Sequence, residues 1–264
     1  MPTQNEKAHA FRALHASGIF VMPNPWDGGA ARLLAGLGFR ALATSSAASA
    51  MVLGRRDGML TRDEALAHAR TIASATELPV SADLEKGFGD APDFIAETIR
   101  LAAEAGVVGG SIEDFSGDPN QPIYDLGFAV ERVAAAASAA RALSFPFTLT
   151  ARAENFLRGN PDLDDTIRRL QAYEQAGADV LFAPGLPDLD AIRAVCAAVS
   201  KPVSFMAGMK EKSFPVAELE AAGVRRISVA TSLYRSAMTA LFDAATEIRG
   251  EGTFGYVERI RALP

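Results

Sequence analysis

Two short apolar runs in this 264-residue chain end in carboxylates: Pro79-Val80 leads to Asp83 and Glu85, and Val107-Val108 leads to Glu113 and Asp114. They lie about one strand–helix unit apart, so several acids gather at one rim of a parallel sheet. Neighbouring unpaired acids repel. A divalent cation removes that cost, and hard oxygen ligands suit Mg²⁺, or Mn²⁺. The pattern points to a metal-dependent enzyme acting on a small anion. Asp83 is the best direct ligand, with Glu85 and Glu113 placed to hold metal-bound waters. Gly87 and Gly89 leave the backbone beside them open to a ligand. Asp57, in Gly54-Arg-Arg-Asp57, either joins the metal shell or pairs with Arg55 or Arg56. For Asp114 a structural role, as a helix cap or a surface acid, reads as well as a metal role, because a one-residue change of register decides whether Glu113 or Asp114 faces the metal.

Two further strand ends carry polar groups. Ala43-Thr-Ser-Ser-Ala-Ala sets Ser45, Ser46 and Ala47 in a turn whose hydroxyl and backbone N–H groups can hold a carboxylate or phosphonate. An ordinary serine-rich loop is the plainer reading. Thr150-Ala-Arg-Ala-Glu154 puts Arg152 and Glu154 on one face of an extended chain. Arg152 can grip a substrate carboxylate with two N–H groups. Glu154 then orients it or joins the outer metal shell, and a structural ion pair at the sheet rim is the alternative. Other reactive residue types offer less. Cys196 falls on the apolar stripe of a helix, and His9, His15 and His68 fall on N-terminal or outer helices without zinc-ligand spacing. No lysine stands at a strand end as an imine-forming aldolase requires. Lys86 points away from the Asp83/Glu85 pair, which favours a metal-stabilised enolate.

These residues need a scaffold that brings strand ends together. Eight apolar runs occur, near Phe20–Pro25, Ala41–Ser46, Pro79–Leu84, Gly109–Asp114, Phe147–Glu154, Val180–Gly185, Pro202–Ala207 and Arg226–Ala230. They are too uniformly apolar for a half-exposed antiparallel sheet and suit a parallel sheet covered by helices. Helical segments separate them. In the one after Asp93, the residues Phe94, Ile95, Thr98, Ile99, Leu101 and Ala102 form an apolar face. Gly106, Gly177 and Gly223 each end an alanine-rich helix before a strand. Eight such units predict one (β/α)8 barrel over residues 1–264, with its active site at the strand C-termini. No Gly-x-Gly-x-x-Gly follows the first strand to favour a doubly wound sheet. The net charge of −6 gives no nucleic-acid footprint. A single cysteine fits a reducing cytoplasm, and no signal core or membrane-spanning run is present.

Taken together, Pro23-Asn-Pro-Trp-Asp27, Thr44-Ser-Ser-Ala47 with Gly54-Arg-Arg-Asp57, Ser81–Gly89, Ser111-Ile-Glu-Asp114, Ala151-Arg152 and Gly223-Val-Arg-Arg-Ile-Ser-Val229 resemble the isocitrate lyase/phosphoenolpyruvate mutase superfamily over nearly the whole chain. The resemblance implies a (β/α)8 TIM barrel whose last helix is exchanged between subunits, and a dimer-of-dimers tetramer. It implies Mg²⁺ and a 2-oxo acid or its enolate at the barrel mouth. By motif match, Ser45, Ser46 and Ala47 contact the oxo-acid carboxylate, Asp57, Asp83, Glu85 and Glu113 form the metal shells, and Arg152 binds substrate. The lyases of the family carry a Lys-Lys/Arg-Cys-Gly-His loop whose Cys serves as acid or base. Here the loop reads Phe115-Ser-Gly-Asp-Pro-Asn-Gln-Pro-Ile-Tyr-Asp125, with no Cys, Lys or His. Only Asn120 could match the Asn of the Lys-Thr-Asn loop in the phosphonopyruvate-acting branch. Ser204 stands where many relatives have Asn. The expected activity is a Mg²⁺-dependent lyase cleaving a C–C bond of a small 2-oxo acid, such as oxaloacetate decarboxylation or a 2-alkylmalate- or isocitrate-type cleavage. Phosphonopyruvate P–C chemistry and a non-catalytic 2-oxo acid binder are the alternatives.

Overall fold

A computed structural model describes residues 2–262; Met1, Leu263 and Pro264 of the expected barrel domain lie outside the described residues. Eight parallel strands run β1 Phe20–Met22, β2 Leu42–Ala43, β3 Val80–Asp83, β4 Gly109–Glu113, β5 Thr148–Arg152, β6 Val180–Phe182, β7 Val203–Met206 and β8 Arg226–Ser228. Their spatial order, β1-β8-β7-β6-β5-β4-β3-β2, winds the sheet into a barrel. Between β1 and β2 no ladder forms. The seam is drawn together by the Ala43 N–H donating to the Pro23 carbonyl at 3.1 Å and by Asn24 Nδ2 donating to the Thr44 carbonyl at 2.9 Å. The TIM barrel read from eight repeated units is therefore the fold observed. Several strands are shorter than their apolar runs. Pro23 and Pro25 have no N–H to extend β1, and the tails of the runs turn over the barrel mouth as loops.

Helices alternate with the strands: α1 Gln4–Leu14, α2 Gly28–Gly36, α3 Ser46–Val52, α4 Arg62–Ala75, α5 Pro92–Glu104, α6 Leu126–Arg141, α7 Leu163–Gln175, α8 Leu189–Ala198, α9 Val216–Ala221 and α10 Ser232–Glu251. Local chemistry sets their starts. Thr61 and Glu64 form a reciprocal capping box on α4, and Asp27, Asp162 and Asp188 cap α2, α7 and α8. Gly106 and Gly177 end α5 and α7 at φ +94° and +106°, a conformation that L side chains rarely adopt. In α5 the buried face is Ile95, Thr98, Ile99, Ala102 and Ala103. Phe94 differs from expectation: it lies 40 % exposed at the edge of that face, where the Arg62 guanidinium covers its ring at 4.3 Å.

The strands carry two different faces. Outward residues such as Val80, Ala82, Leu149, Ala151, Leu181 and Phe205 pack under the helices in the main core. Each large one removed from water contributes about 1.5–3 kcal/mol. The inner positions of β3, β4, β5, β7 and β8 are polar instead: Ser81, Ser111, Thr150, Ser204 and Arg226 are all buried. Barrel interiors are usually filled by branched apolar residues, so this one has exchanged packing for hydrogen-bonding capacity. Helix α1 closes the barrel's lower end, with His15 edge-on between Phe11 and Phe20 at centroid distances of 4.9 and 5.0 Å. At the other extreme, α10 buries no residue and exposes Leu241 and Phe242. No described helix is long and apolar enough to cross a membrane.

Candidate active site

A cavity of about 340 Å³ opens at the C-terminal ends of the strands, lined among others by Ser45, Ser46, Ala47, Asp57, Asp83 and Arg152. Its centre is Arg152, the last residue of β5. Nη1 donates to Asp83 Oδ1 at 3.2 Å, Nη2 lies 3.2 Å from Glu113 Oε2, and both Nε and Nη2 donate to Glu154 Oε1 at 2.9 and 2.7 Å. The guanidinium also sits 5.2 Å from the Phe182 ring centroid. Its pKa is raised well above the ordinary value. Burial opposes the charge, but Glu154, Glu113 and Asp83 outweigh it.

The strand register settles which acid faces inward. Glu113 pairs with Arg152 across β4 and β5 and turns its buried carboxylate toward Arg152 and Arg158. Asp114 turns the other way and is structural. It accepts from Tyr173 Oη at 2.6 Å, Arg169 Nη1 at 3.1 Å and the Glu154 N–H at 2.8 Å. Glu154 is fully buried and orients Arg152, while Arg158, just past the short helical turn Asn155–Leu157, closes the group. Arg158 Nη2 lies 3.5 Å from Glu113 Oε1, and its Nε lies 3.2 Å from Glu154 Oε2, an ion pair without hydrogen-bond alignment. Three carboxylates thus face two guanidiniums. The surplus negative charge agrees with the direction at Glu113, whose pKa burial pushes well up against the pull of Arg152 and Arg158.

Asp83 is the hinge between this group and the serine turn. Its Oδ2 accepts the Ser46 N–H at 3.0 Å, and its own N–H donates to Thr44 Oγ1 at 2.9 Å. Ser45 caps α3. Ala47, the second residue of that helix, has no intrahelical carbonyl for its N–H to reach. Glu85 follows at φ +50°, with Oε1 buried and no hydrogen-bond partner. Burial first, then repulsion from Asp83 and Asp57, pushes its pKa up to about 7. Asp57 is likewise raised, chiefly by loss of water, with Ser46 and the arginines pulling the other way. It faces the acids, while Arg55 pairs with Glu64 at 2.7 Å.

Two expectations change. Gly87 and Gly89 do not open the backbone to a ligand: a Cβ on either would meet Ile95 or Phe94 at 2.9 or 2.5 Å, so these glycines let α5 pack closely. Asn120 is not brought to the cavity. It sits exposed in the 115–125 loop, bonded to Asp118. Cys196, on α8, is half-buried and packs against the main core, in keeping with its place on an apolar stripe. Lys86 does point away, donating to Asp90 at 2.7 Å and to the Ser116 carbonyl at 2.8 Å, where it anchors that loop. Sequence reasoning passed over Arg158, Asn24 and Arg226. Asn24 Oδ1 accepts from Ser228 Oγ and the Val229 N–H at 3.0 and 3.1 Å, tying β1 to β8. For Arg158 the signal was its spacing of four from Glu154. For Arg226 it was a cation at the start of an otherwise apolar strand.

Ionisable groups gathered at the C-terminal rim of a parallel eight-stranded barrel define a (β/α)8 enzyme. The chain belongs to the phosphoenolpyruvate phosphomutase family, whose model matches residues 11–249. It is 56 % identical to a Burkholderia cenocepacia J2315 protein provisionally named a lyase/mutase, with a TM-score of 0.96 over 98 % of this chain and 93 % of that one. It is 31 % identical to a protein named probable 2-methylisocitrate lyase 2 of Corynebacterium glutamicum, over 95 % of this chain and 83 % of the relative. It is 29 % identical to the oxaloacetate decarboxylase of Marinomonas sp. strain MWYL1, over 96 % and 89 %. The protein is therefore an enzyme of the isocitrate lyase/phosphoenolpyruvate mutase superfamily, as its motifs implied.

Proposed function

We propose that this enzyme is a divalent-metal-dependent lyase that breaks a C–C bond of a small 2-oxo acid, with oxaloacetate decarboxylation as the leading reaction. The observation that carries the choice is a 115–125 loop that has no Cys, Lys or His, whose Asp118, Tyr124 and Asp125 are bonded to Asn120, to Asp90 and to the start of α6, and which is tethered from behind by Lys86. Decarboxylation expels CO₂ and needs no acid on the leaving group, whereas a retro-aldol cleavage needs a base. The names of the relatives support the same class, since one is an oxaloacetate decarboxylase and another a 2-methylisocitrate lyase.

The residues suit Mg²⁺. Glu85 Oε1 is buried without a partner; the charge of Asp83 raises the cost of ionising Asp57, and Asp83 and Asp57 together raise that of Glu85. Among the described residues no three His, Cys, Asp or Glu side chains form a ready chelate. That suits an ion that keeps several waters and takes few protein ligands directly. Asp83 would hold it, with Asp57, Glu85 and Glu113 reaching its waters. When bound, the cation supplies positive charge where the enolate oxygen develops. The chain's own groups do the rest. The Ser45–Ala47 turn holds the carboxylate next to the oxo carbon. Arg152, fixed by Glu154, Glu113 and Asp83, presents its remaining Nη1 N–H to the oxo oxygen, where negative charge grows as the bond breaks; a donor positioned in advance favours the transition state over the ground state. The exchange of the last helix in a dimer-of-dimers tetramer belongs to the same proposal, and the bare apolar side of α10 supports it.

The test is a substrate panel with and without Mg²⁺, read by coupled detection of pyruvate and of glyoxylate or phosphate. It contains oxaloacetate, phosphonopyruvate, isocitrate, 2-methylisocitrate and a 4-hydroxy-2-oxo acid. Metal-dependent pyruvate from oxaloacetate is expected. Phosphate or phosphonate products from phosphonopyruvate alone would move the enzyme to P–C chemistry. Mg²⁺-dependent oxalate binding without turnover of any member would make it a binder.

A further inference from the structure

Below the acid rim the same cavity reaches a second guanidinium, Arg226, which is 3 % exposed. Arg226 opens β8 and is in register with Ser204 of β7. Strand tilt carries that rung downward from Arg152 toward the barrel's lower end. Its partners are all neutral. Nε donates to Ser204 Oγ at 3.1 Å, and Nη2 donates to Thr150 Oγ1 at 3.0 Å. Nη1 lies 3.5 Å from His15 Nε2. His15 Nδ1 faces the Phe11 carbonyl at 2.9 Å and so carries the ring proton, leaving Nε2 as an acceptor. Burial and the charge of Arg226 push the His15 pKa down to about 3, so the ring is neutral at pH 7.

No carboxylate lies within ion-pair distance of Arg226 among the described residues. Burial and repulsion from Arg152 lower its pKa to about 9, which still leaves it charged at neutral pH. A buried charge without a counter-charge costs several kcal/mol, so an arriving anion finds a site whose desolvation is already complete. A guanidinium has five N–H groups. The three contacts above engage three of them, which leaves two for a ligand. The hydroxyls of Ser81, Ser111 and Ser228 line the same cavity, those of Ser111 and Ser228 donating to Asp83 and Asn24.

We propose that Arg226 binds the second carboxylate of a dianionic substrate, so that the cavity holds a four-carbon 2-oxo diacid between Arg226 below and the Ser45–Ala47 turn above. This rests on the 2-oxo acid reading for the upper end and names the substrate class at the lower one. A monoacid such as pyruvate would satisfy the upper end only, which makes the charge at the distal carbon the discriminating feature. A guanidinium that merely tethered α1 to the barrel through His15 would leave that discrimination untouched.

The experiment is calorimetric titration of the whole protein in magnesium-containing buffer with succinate, a four-carbon diacid, and with pyruvate. For Arg226→Met, succinate affinity is expected to fall at least roughly tenfold, the worth of a charge-assisted hydrogen bond, while pyruvate affinity changes less than about twofold. An equal fall for both ligands, or for neither, overturns the proposal. Should the Met variant not fold, Arg226→Lys keeps a point charge and loses the planar fork. A several-fold loss confined to succinate is then expected, and an unchanged succinate-to-pyruvate ratio overturns the proposal. Failure of wild-type protein to bind pyruvate counts against the 2-oxo acid reading instead. Dependence of succinate binding on Arg226 would survive that result, so the two readings fail separately.

Discussion

Two buried arginines share one cavity and keep opposite company. Arg152 is held by Asp83, Glu113 and Glu154, whereas Arg226 meets two hydroxyls and a neutral imidazole. Carboxylates raise the pKa of the first, and burial lowers that of the second. The rim is thus a framework of paired charges with acid in surplus, and the floor is a cation left for substrate to balance. Asp83 is where the rim does most at once, because it touches Arg152, the Ser46 N–H and the Ser111 hydroxyl. Asp83→Ala should lower kcat by about a thousandfold on whichever 2-oxo acid the wild-type protein turns over, comparable to the loss of a major electrostatic stabiliser. Full metal-dependent turnover by that variant would break the rim half of the comparison.

Stability gives the next contrast. Removing one member of a buried ionic group strands its partners, so Arg152→Met should destabilise the fold by about 3–5 kcal/mol. Arg226→Met removes an unbalanced charge and fills similar volume, so its cost should stay below about 1 kcal/mol or become a gain. Urea denaturation of both variants at pH 7 measures the difference. Equal losses would mean that Arg226 has a counter-charge of its own or that its hydroxyl contacts matter more than its charge.

A smaller effect tests the surplus of acid at the rim. Glu85 has a folded pKa raised to about 7, so the native state holds its proton more tightly than the unfolded chain does. Stability from this group is present below pH 4.5 and is lost as pH rises through about 7. In EDTA the wild-type protein should therefore lose stability across that window relative to Glu85→Gln, in which the carboxyl no longer titrates. Added Mg²⁺ should raise Tm more at pH 8 than at pH 5. Parallel Tm profiles for the two proteins would place Glu85 in ordinary solvent.

The two arginines also mark what the chain's letters disclose. The outer faces of the strands were legible because Val80, Leu149 and Leu181 obey a rule of burial that one residue type can state. The rim was legible because acids at strand ends, as at Asp83 and Glu113, violate that rule in a patterned way. Arg226 was hidden by the same logic: a cation in an apolar run reads as a strand boundary until neighbouring strands bring Ser204 and Thr150 beside it. Gly87 and Gly89 misled because a glycine admits close approach by anything, and here the visitor is α5 rather than a ligand. Which of Glu113 and Asp114 faces inward depended on register, and register is a property of the pair β4 and β5, not of either strand alone.

The smallest effect is expected at the loop above both arginines. Asn120 is exposed, and its backbone N–H and Nδ2 both donate to Asp118 Oδ1, at 2.8 and 3.2 Å. The loop closes on itself through the Ser116 N–H to the Pro122 carbonyl at 2.9 Å, with Phe115 bridging Ile123. It is fastened to the barrel by Lys86 and by the Phe115 ring, whose centroid lies 3.6 Å from Arg158 Cζ, so its resting form holds Asn120 away from the cavity. Asn120→Ala should change kcat/KM on a 2-oxo acid by less than about threefold, the range of surface substitutions. If the loop instead supplies Asn120 to a phosphonate, the same variant should abolish turnover of phosphonopyruvate, which ³¹P NMR follows directly. A hundredfold loss on oxaloacetate would show that the loop leaves its tether and folds onto the mouth, adding a third partner to a substrate otherwise held between the rim and the floor.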